Sequence, residues 1–213
     1  PVTDSLRRKL RDVKRIVGRP PRSFLDVGCG NGLYLDAARA LGLRNLGTDV
    51  DRVNVEFARG RGLEAAAAAL EDLDLDERFD FVHLKAVLHL VPDPGRLLAK
   101  ARSLMAPGGV VYIDVPNQGS PFSKLRMLRD RASYGQIQLP FRRGAYNFES
   151  ISKLCARSGL RIAGRVFAYP GDRTYYPILG AKRTTTFIFR ICAAVRVSSM
   201  LGVYAVGEER DRG

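Results

Sequence analysis

The sequence predicts a doubly wound α/β domain built on a mostly parallel sheet. Three observations predict it: strand-like and helix-like segments alternate at short intervals through the first half, a glycine-rich turn joins the first strand to a helix, and an Asp-Pro helix start and a Pro-Gly-Gly turn bracket a later helix.

The elements follow in order. Ser5 to Val17 sets Leu6, Leu10, Val13 and Val17 on one helical stripe with basic residues elsewhere, so residues 1–20 read as a basic N-terminal helix. Ser23 to Val27 is a short apolar strand running into Asp26-Val27-Gly28-Cys29-Gly30-Asn31-Gly32, and a helix follows from about Gly32 to Leu41. Leu46 to Val50 is the second strand, with a helix after it from about Val53 to Arg61. The alanine run Ala65 to Ala69 has helical propensity, but its place in the alternation calls for a third strand. Phe79 to Leu84 is the fourth. Asp93 and Pro94 start a helix, a carboxylate cap followed by a ring whose fixed φ suits the first turn. Leu97, Leu98, Ala101, Leu104 and Met105 form its buried stripe, and Pro107-Gly108-Gly109 ends it and turns the chain into strand Val110 to Val115. A polar, arginine-rich segment runs from Pro116 to Gly144. A helix capped by Asn147 then carries Phe148, Ile151, Leu154 and Cys155 and stops at Gly159, and strands near Arg161 to Ala168 and Gly202 to Val206 complete the sheet.

Composition bounds the class. The 213 residues suit one domain, and 46% apolar with 27% charged residues exclude wholesale disorder. Cys29, Cys155 and Cys192 are far apart and in no ligand spacing, which excludes a disulfide framework or structural zinc and favours a reducing cytoplasm. No signal peptide or transmembrane span is evident, and the opening at Pro1 without Met is compatible with a processed or truncated start. The net charge of +13 is uneven: 18 Lys/Arg stand against 15 Asp/Glu up to Ile113, and 17 against 7 beyond it. Such a field draws phosphates, nucleic acid or anionic lipid, or is simply an arginine-rich surface.

Chemistry concentrates at residues 26–32. Glycines at alternate positions permit a tight turn and let backbone approach a ligand with no Cβ between, and the following helix offers free N–H groups and a positive dipole end. Asp49 ends the second strand, where a carboxylate can accept both hydroxyls of a ribose; the competing reading is a helix cap, a role Asp51 can fill instead. The G-x-G-x-G spacing is not the G-x-G-x-x-G of dinucleotide-binding proteins.

The segments FLDVGCGNG, LGTDVD, FDFVHLKAVLHLVPDP and LMAPGGVVYIDVPN, spanning about Arg22 to Asn117, resemble in order and spacing the class I S-adenosylmethionine-dependent methyltransferases. The resemblance implies a Rossmann-like seven-stranded sheet with an antiparallel last hairpin and S-adenosyl-L-methionine as cofactor. It implies that Asp26, Gly28, Cys29 and Gly30 hold the methionine end and Asp49 the ribose, and that Val50 packs on the adenine. Leu70, Glu71 and Asp72 then line the adenine edge, and Leu84 or Lys85 contacts the cofactor from the fourth strand. Many members carry an acid where Ala69 stands, so the adenine amino group meets Glu71, Asp72, backbone or water here.

In-line displacement at a sulfonium needs a base only where the acceptor must lose a proton. His89, in LKAVLHLVPD, lies in a segment similar to the one bearing the catalytic histidine of plant-type O-methyltransferases, and is read either as that base or as pocket lining. His83 and Tyr34 read as packed residues, and Lys85 as pocket lining or a solvated charge. By the same resemblance residues 119–144 form a substrate lid, with Lys124, Arg126, Arg129, Arg131, Arg142 and Arg143 beside Phe122, Leu125, Leu128, Tyr134 and Phe141. A basic, partly apolar lid suits a small-molecule acceptor that is anionic or lipid-linked. Thr186 to Leu201 is too short and charged to span a bilayer; it packs on the sheet or, with the first helix and the lid, meets an anionic membrane. Nucleic acid is a less favoured partner, because no RNA-binding module or N/D-P-P-Y type motif is present. A catalytically silent scaffold is the remaining alternative.

Overall fold

The computed structural model describes residues 2–120, 144–166 and 200–208. Its elements are α1 (Val2–Val17), β1 (Ser23–Val27), α2 (Leu33–Ala40), β2 (Arg44–Asp49), α3 (Arg52–Gly60), β3 (Ala65–Ala67), a 3₁₀ turn (Leu70–Asp72), β4 (Phe79–Lys85), α4 (Pro94–Ser103), β5 (Met105–Pro116), α5 (Phe148–Arg157), β6 (Leu160–Val166) and β7 (Met200–Gly207). The seven strands run in the order β3-β2-β1-β4-β5-β7-β6; all pairs are parallel except β5–β7 and β6–β7. The expected Rossmann-like sheet with its antiparallel last hairpin is what the chain forms.

Each face of the sheet has its own apolar layer. Leu25, Val27, Val82, Leu84, Ile113 and Val203 meet α4 and α5 through Leu97, Leu98, Ile151 and Cys155. On the other face Phe24, Phe81, Tyr112 and Tyr204 meet α1, α2 and α3 through Leu6, Val13, Leu35, Ala38, Val55 and Ala58. The α1 stripe is thus used in the core, where Leu6 and Val13 are fully buried and Leu10 and Val17 pack partly buried against them. Lys9, which the helical pattern puts among the outward basic residues, is fully buried as well.

Local signals explain most boundaries. The Asp51 side chain accepts from Val53 N and Asn54 N, so Asp51 and not Asp49 caps α3. The Asp93 side chain accepts from Arg96 N with Pro94 in the first turn of α4, and Asn147 forms a reciprocal capping box with Ser150. The end of α4 departs from expectation. The helix stops at Ser103, Met105 already pairs with Phe79, and Pro107-Gly108-Gly109 lies inside β5 as an irregularity in its pairing with β4. A Cβ on Gly109 would stand 2.9 Å from the carbonyl oxygens of Ala106 and Phe79, so the glycine serves close strand packing and not a helix stop.

Most of the expected lid 119–144 and of the run Thr186 to Leu201 lies outside the described residues; Met200 and Leu201 open β7.

Candidate functional site

The C-terminal ends of β1, β2 and β4 carry the candidate site, at the edge where open α/β sheets bind ligands. β1 ends in Asp26-Val27 and the chain turns at Gly28, whose N–H donates to Thr48 O at 2.7 Å; Cys29 N donates to the same oxygen at 3.0 Å. Gly28, Gly30 and Gly32 all have positive φ, at 70°, 52° and 84°. The first two need glycine for different reasons. A Cβ on Gly28 would lie 2.3 Å from Val87 Cγ2, whereas one on Gly30 would meet no atom of the described residues within 4 Å and would project into open space above the turn.

Val87 reaches Gly28 because Ala86 turns the chain sharply after β4. Ala86 has φ 59°, the only non-glycine residue with positive φ among those described, and its N–H donates to Asp114 O at 2.9 Å. The left-handed conformation costs an L-residue roughly 1–2 kcal/mol, and such strain collects at functional sites.

Asp49 closes the turn from β2. Its Oδ2 accepts from Gly30 N at 2.8 Å and its Oδ1 from Asp51 N at 2.9 Å. Each carboxylate oxygen keeps a second lone pair, which is what a pair of vicinal hydroxyls requires. Val50 follows directly with 76% of its surface exposed, beside Val53 at 75%. Leu70 is buried at the start of the 3₁₀ turn, Glu71 is half-buried, and exposed Asp72 pairs with Arg96 at 3.5 Å.

Beneath the turn, Asp26 is buried with Oδ1 2.8 Å from His83 Nδ1. Burial raises the Asp26 carboxyl to about 7, against the pull of Lys9 and then Lys85, while Asp49 pushes it further up. Burial, then Lys9 and Lys85, drives His83 well below the ordinary histidine range, so the ring is neutral. With Asp26 ionised, His83 Nδ1 carries the ring proton and donates it to Asp26, which leaves Nε2 without a hydrogen-bond partner among the described residues. Tyr34 packs 4.6 Å from the His83 ring, and its hydroxyl receives a hydrogen bond from Lys9 Nζ at 3.2 Å. Burial, with Asp26 and Asp49 nearby, pushes the Cys29 thiol up to about 12, so it is no nucleophile at neutral pH. Of the two β4 residues, Leu84 is fully buried on the α4 face, and Lys85 is half-buried with Nζ 5.5 Å from the Tyr34 ring centroid.

His89 sits in the turn after β4 and is 4% exposed. Its carbonyl accepts from Gly144 N at 3.2 Å, Tyr146 Oη donates to Leu88 O at 3.4 Å, and Gln118 N donates to Tyr146 O at 2.8 Å. Both ends of the arginine-rich segment therefore meet beside His89. Lys9, Ala86, Val87 and Tyr146 were not singled out from sequence. The alternation of apolar residues that signals a strand or helix says nothing about a buried ammonium or a strained alanine.

The residues fit an adenosine-bearing amino acid: an open glycine cradle, a buried acid under it, a carboxylate with lone pairs to spare and an exposed valine beside it. A family model described as a methyltransferase domain matches residues 4–163. The ubiquinone biosynthesis O-methyltransferase of Bordetella avium is 31% identical over 140 residues, 62% of this chain and 56% of its own length. That of Nitrobacter winogradskyi is 28% identical over 165 residues, covering 70% and 62%. The chain thus spans little more than half the length of these relatives. Among solved structures, the plantazolicin methyltransferase BamL, in complex with a desmethyl-plantazolicin analogue and S-adenosylhomocysteine, superposes with TM-score 0.69 at 15% identity, covering 97% of this chain and 85% of that one. An S-adenosylmethionine-dependent methyltransferase from Archaeoglobus fulgidus gives 0.62 at 18% identity, covering 95% and 93%. The chain belongs to the methyltransferase-domain family and has the fold of the class I S-adenosylmethionine-dependent methyltransferases.

Proposed function

We propose that the chain methylates a hydroxyl of a small-molecule acceptor that is anionic or carries a lipid tail. One observation carries the cofactor half of this reading: Asp49 is tied to the Gly30 N–H while both its oxygens keep acceptor capacity, with exposed Val50 alongside. In this reading Asp49 receives the ribose hydroxyls, Val50 lies on the adenine, and Glu71 and Asp72 stand at its edge. Gly28, Cys29 and Gly30 admit the methionine end over Asp26, and Lys85 balances the two acids. When bound, S-adenosylmethionine supplies an electrophilic methyl on a sulfonium, so the protein's part is to align the acceptor oxygen in line with it and exclude water.

His89 is assigned to the acceptor side. It lies in the turn onto which residues 144–147 dock, and a histidine there can take the hydroxyl proton as the oxygen attacks. The O-methyltransferase names of the relatives support a hydroxyl acceptor, and the basic, apolar composition of residues 119–144 supports an anionic or lipid-tailed one. The test is methyl transfer from labelled cofactor to a panel of phenols and carboxyphenols with and without prenyl tails. Product on an oxygen of the anionic or tailed members is expected; turnover of only amine or RNA acceptors overturns the reading.

A further inference from the structure

Four side chains stand in one row across the sheet. Asp26 pairs in register with His83, His83 with Tyr112, and Tyr112 with Tyr204, so all four point to the face covered by α1 and α2. The rings are in contact: His83 stacks on Tyr112 at 5.5 Å with 11° between planes, and Tyr112 lies 4.9 Å from Tyr204. A Cβ on Gly202 would come 2.6 Å from the Tyr112 hydroxyl, so glycine there makes room for the row.

Over this row α1 places Lys9, fully buried. Its Nζ donates to the Tyr34 hydroxyl at 3.2 Å and sits 4.7 Å from the Tyr34 ring centroid and 4.9 Å from that of Tyr112. The Tyr34 hydroxyl is also 3.3 Å from Ser5 Oγ. A lysine is almost never fully buried without compensation, and the neighbouring α1 positions Leu6 and Val13 show that an aliphatic side chain fills this layer well. Through Tyr34 and His83, joined by the contacts given above, the buried ammonium stands over the row that ends in Asp26, and of the charges around that acid Lys9 does most to favour its ionised form. Among the described residues, the other titratable or charged groups facing this layer include Cys29 from the glycine turn, Asp49 from β2, His83 and Lys85 from β4, Tyr34 from α2, Asp114 and Tyr112 from β5, Tyr204 from β7 and Asp12 from α1 itself.

We propose that Lys9 is a positioning residue for cofactor binding: its buried ammonium, held by Tyr34 and Tyr112, favours the carboxylate form of Asp26 under the glycine turn and so couples the docking of α1 to the grip on the cofactor's ammonium group. This rests on the assignment of Asp26 to the methionine end given above.

The test is calorimetric titration of S-adenosylhomocysteine into the full chain from pH 6 to 8.5, for the parent, Lys9→Met and Asp26→Asn. Titration of the ligand itself is common to all three and cancels in their ratios. Lys9→Met moves Asp26 further up, so its affinity approaches the parent's at pH 8.5 and falls behind it at pH 6, by up to about tenfold for each pH unit of displacement. Asp26→Asn binds weakly with no such dependence. A loss by Lys9→Met that is the same at every pH reveals a helix that merely packs and overturns the proposal. Parent-like binding by Asp26→Asn overturns instead the assignment of Asp26 on which it stands. Should Lys9→Met fail to fold, Tyr34→Phe removes only the hydroxyl that receives the Lys9 hydrogen bond; a smaller displacement in the same direction is expected, and an unchanged profile overturns the proposal.

Discussion

Asp49 Oδ2 accepts the Gly30 N–H at 2.8 Å, joining the end of β2 to the turn that follows β1. In the proposed site the carboxylate so fixed receives a ribose without further ordering. Asp49→Ala removes two charge-assisted bonds to ligand hydroxyls, each worth about 1.5–3 kcal/mol, and frees the turn it anchors. Binding of S-adenosylhomocysteine should weaken by at least tenfold in calorimetry, and parent-like affinity would remove Asp49 from the ribose site.

Gly28 and Val87 form a second dependence. Gly28→Ala puts a Cβ 2.3 Å from Val87 Cγ2 at a φ of 70°. Left-handed strain of about 1–2 kcal/mol and overpacking of about 1–3 kcal/mol both apply. The variant should melt several degrees below the parent, and adding Val87→Ala should recover the overpacking part but not the strain. No recovery in the double variant would mean that Val87 does not bear on Gly28 in solution.

The Asp26–His83 pair gives a pH signature of stability. Asp26, raised from 3.8 to about 7, taken alone stabilises the fold fully below pH 3.8 and loses that contribution as pH rises through 7. His83, held well below its usual 6.5, contributes stability above 6.5 and loses it as pH falls. Between about pH 4 and 6.5 the two slopes oppose: the unfolded pair holds one proton on histidine, and the folded pair holds one proton between its members. The parent's stability from this pair is therefore flat across that window. Asp26→Asn leaves only the histidine slope, up to about 1.4 kcal/mol per pH unit, below 6.5. Urea unfolding at pH 5 and 6.5 checks this; parallel curves for parent and variant would contradict it.

His89→Gln should lower kcat by about 10²–10⁴ while leaving the dissociation constant of S-adenosylhomocysteine within twofold, because a positioned base acts only in the transfer step. A drop of less than tenfold would reassign His89 to lining the pocket.

The sheet was legible because its signals were local. Ser23–Val27 and Phe79–Lys85 are short runs rich in Phe, Leu and Val, and Asp93-Pro94 and Asn147 are caps whose chemistry acts within one turn. The boundary between α4 and β5 was misplaced for a physical reason. Pro-Gly-Gly reads as a helix stop, yet Gly109 is needed where Ala106 and Phe79 carbonyls approach it, a contact between strands remote in sequence. Lys9 was misread because a helical period assigns lysine to solvent, and the rings that bury it arrive from α2 and β5. Ala86 gave no signal, since alanine is ordinary everywhere and its left-handed φ is imposed by the Asp114 carbonyl and the packing of Val87 on Gly28.

The proposed cofactor site occupies the space above Gly30, and Gly30→Ala tests this with one added carbon. That Cβ meets no atom of the described residues within 4 Å, so folding loses the strain at φ 52°, about 1–2 kcal/mol. Calorimetry with S-adenosylhomocysteine and NAD side by side should show micromolar binding of the first alone by the parent, and loss of that binding in a Gly30→Ala protein that still melts cooperatively. Parent-like affinity in that variant, or a parent that binds NAD and not S-adenosylhomocysteine, would contradict the account.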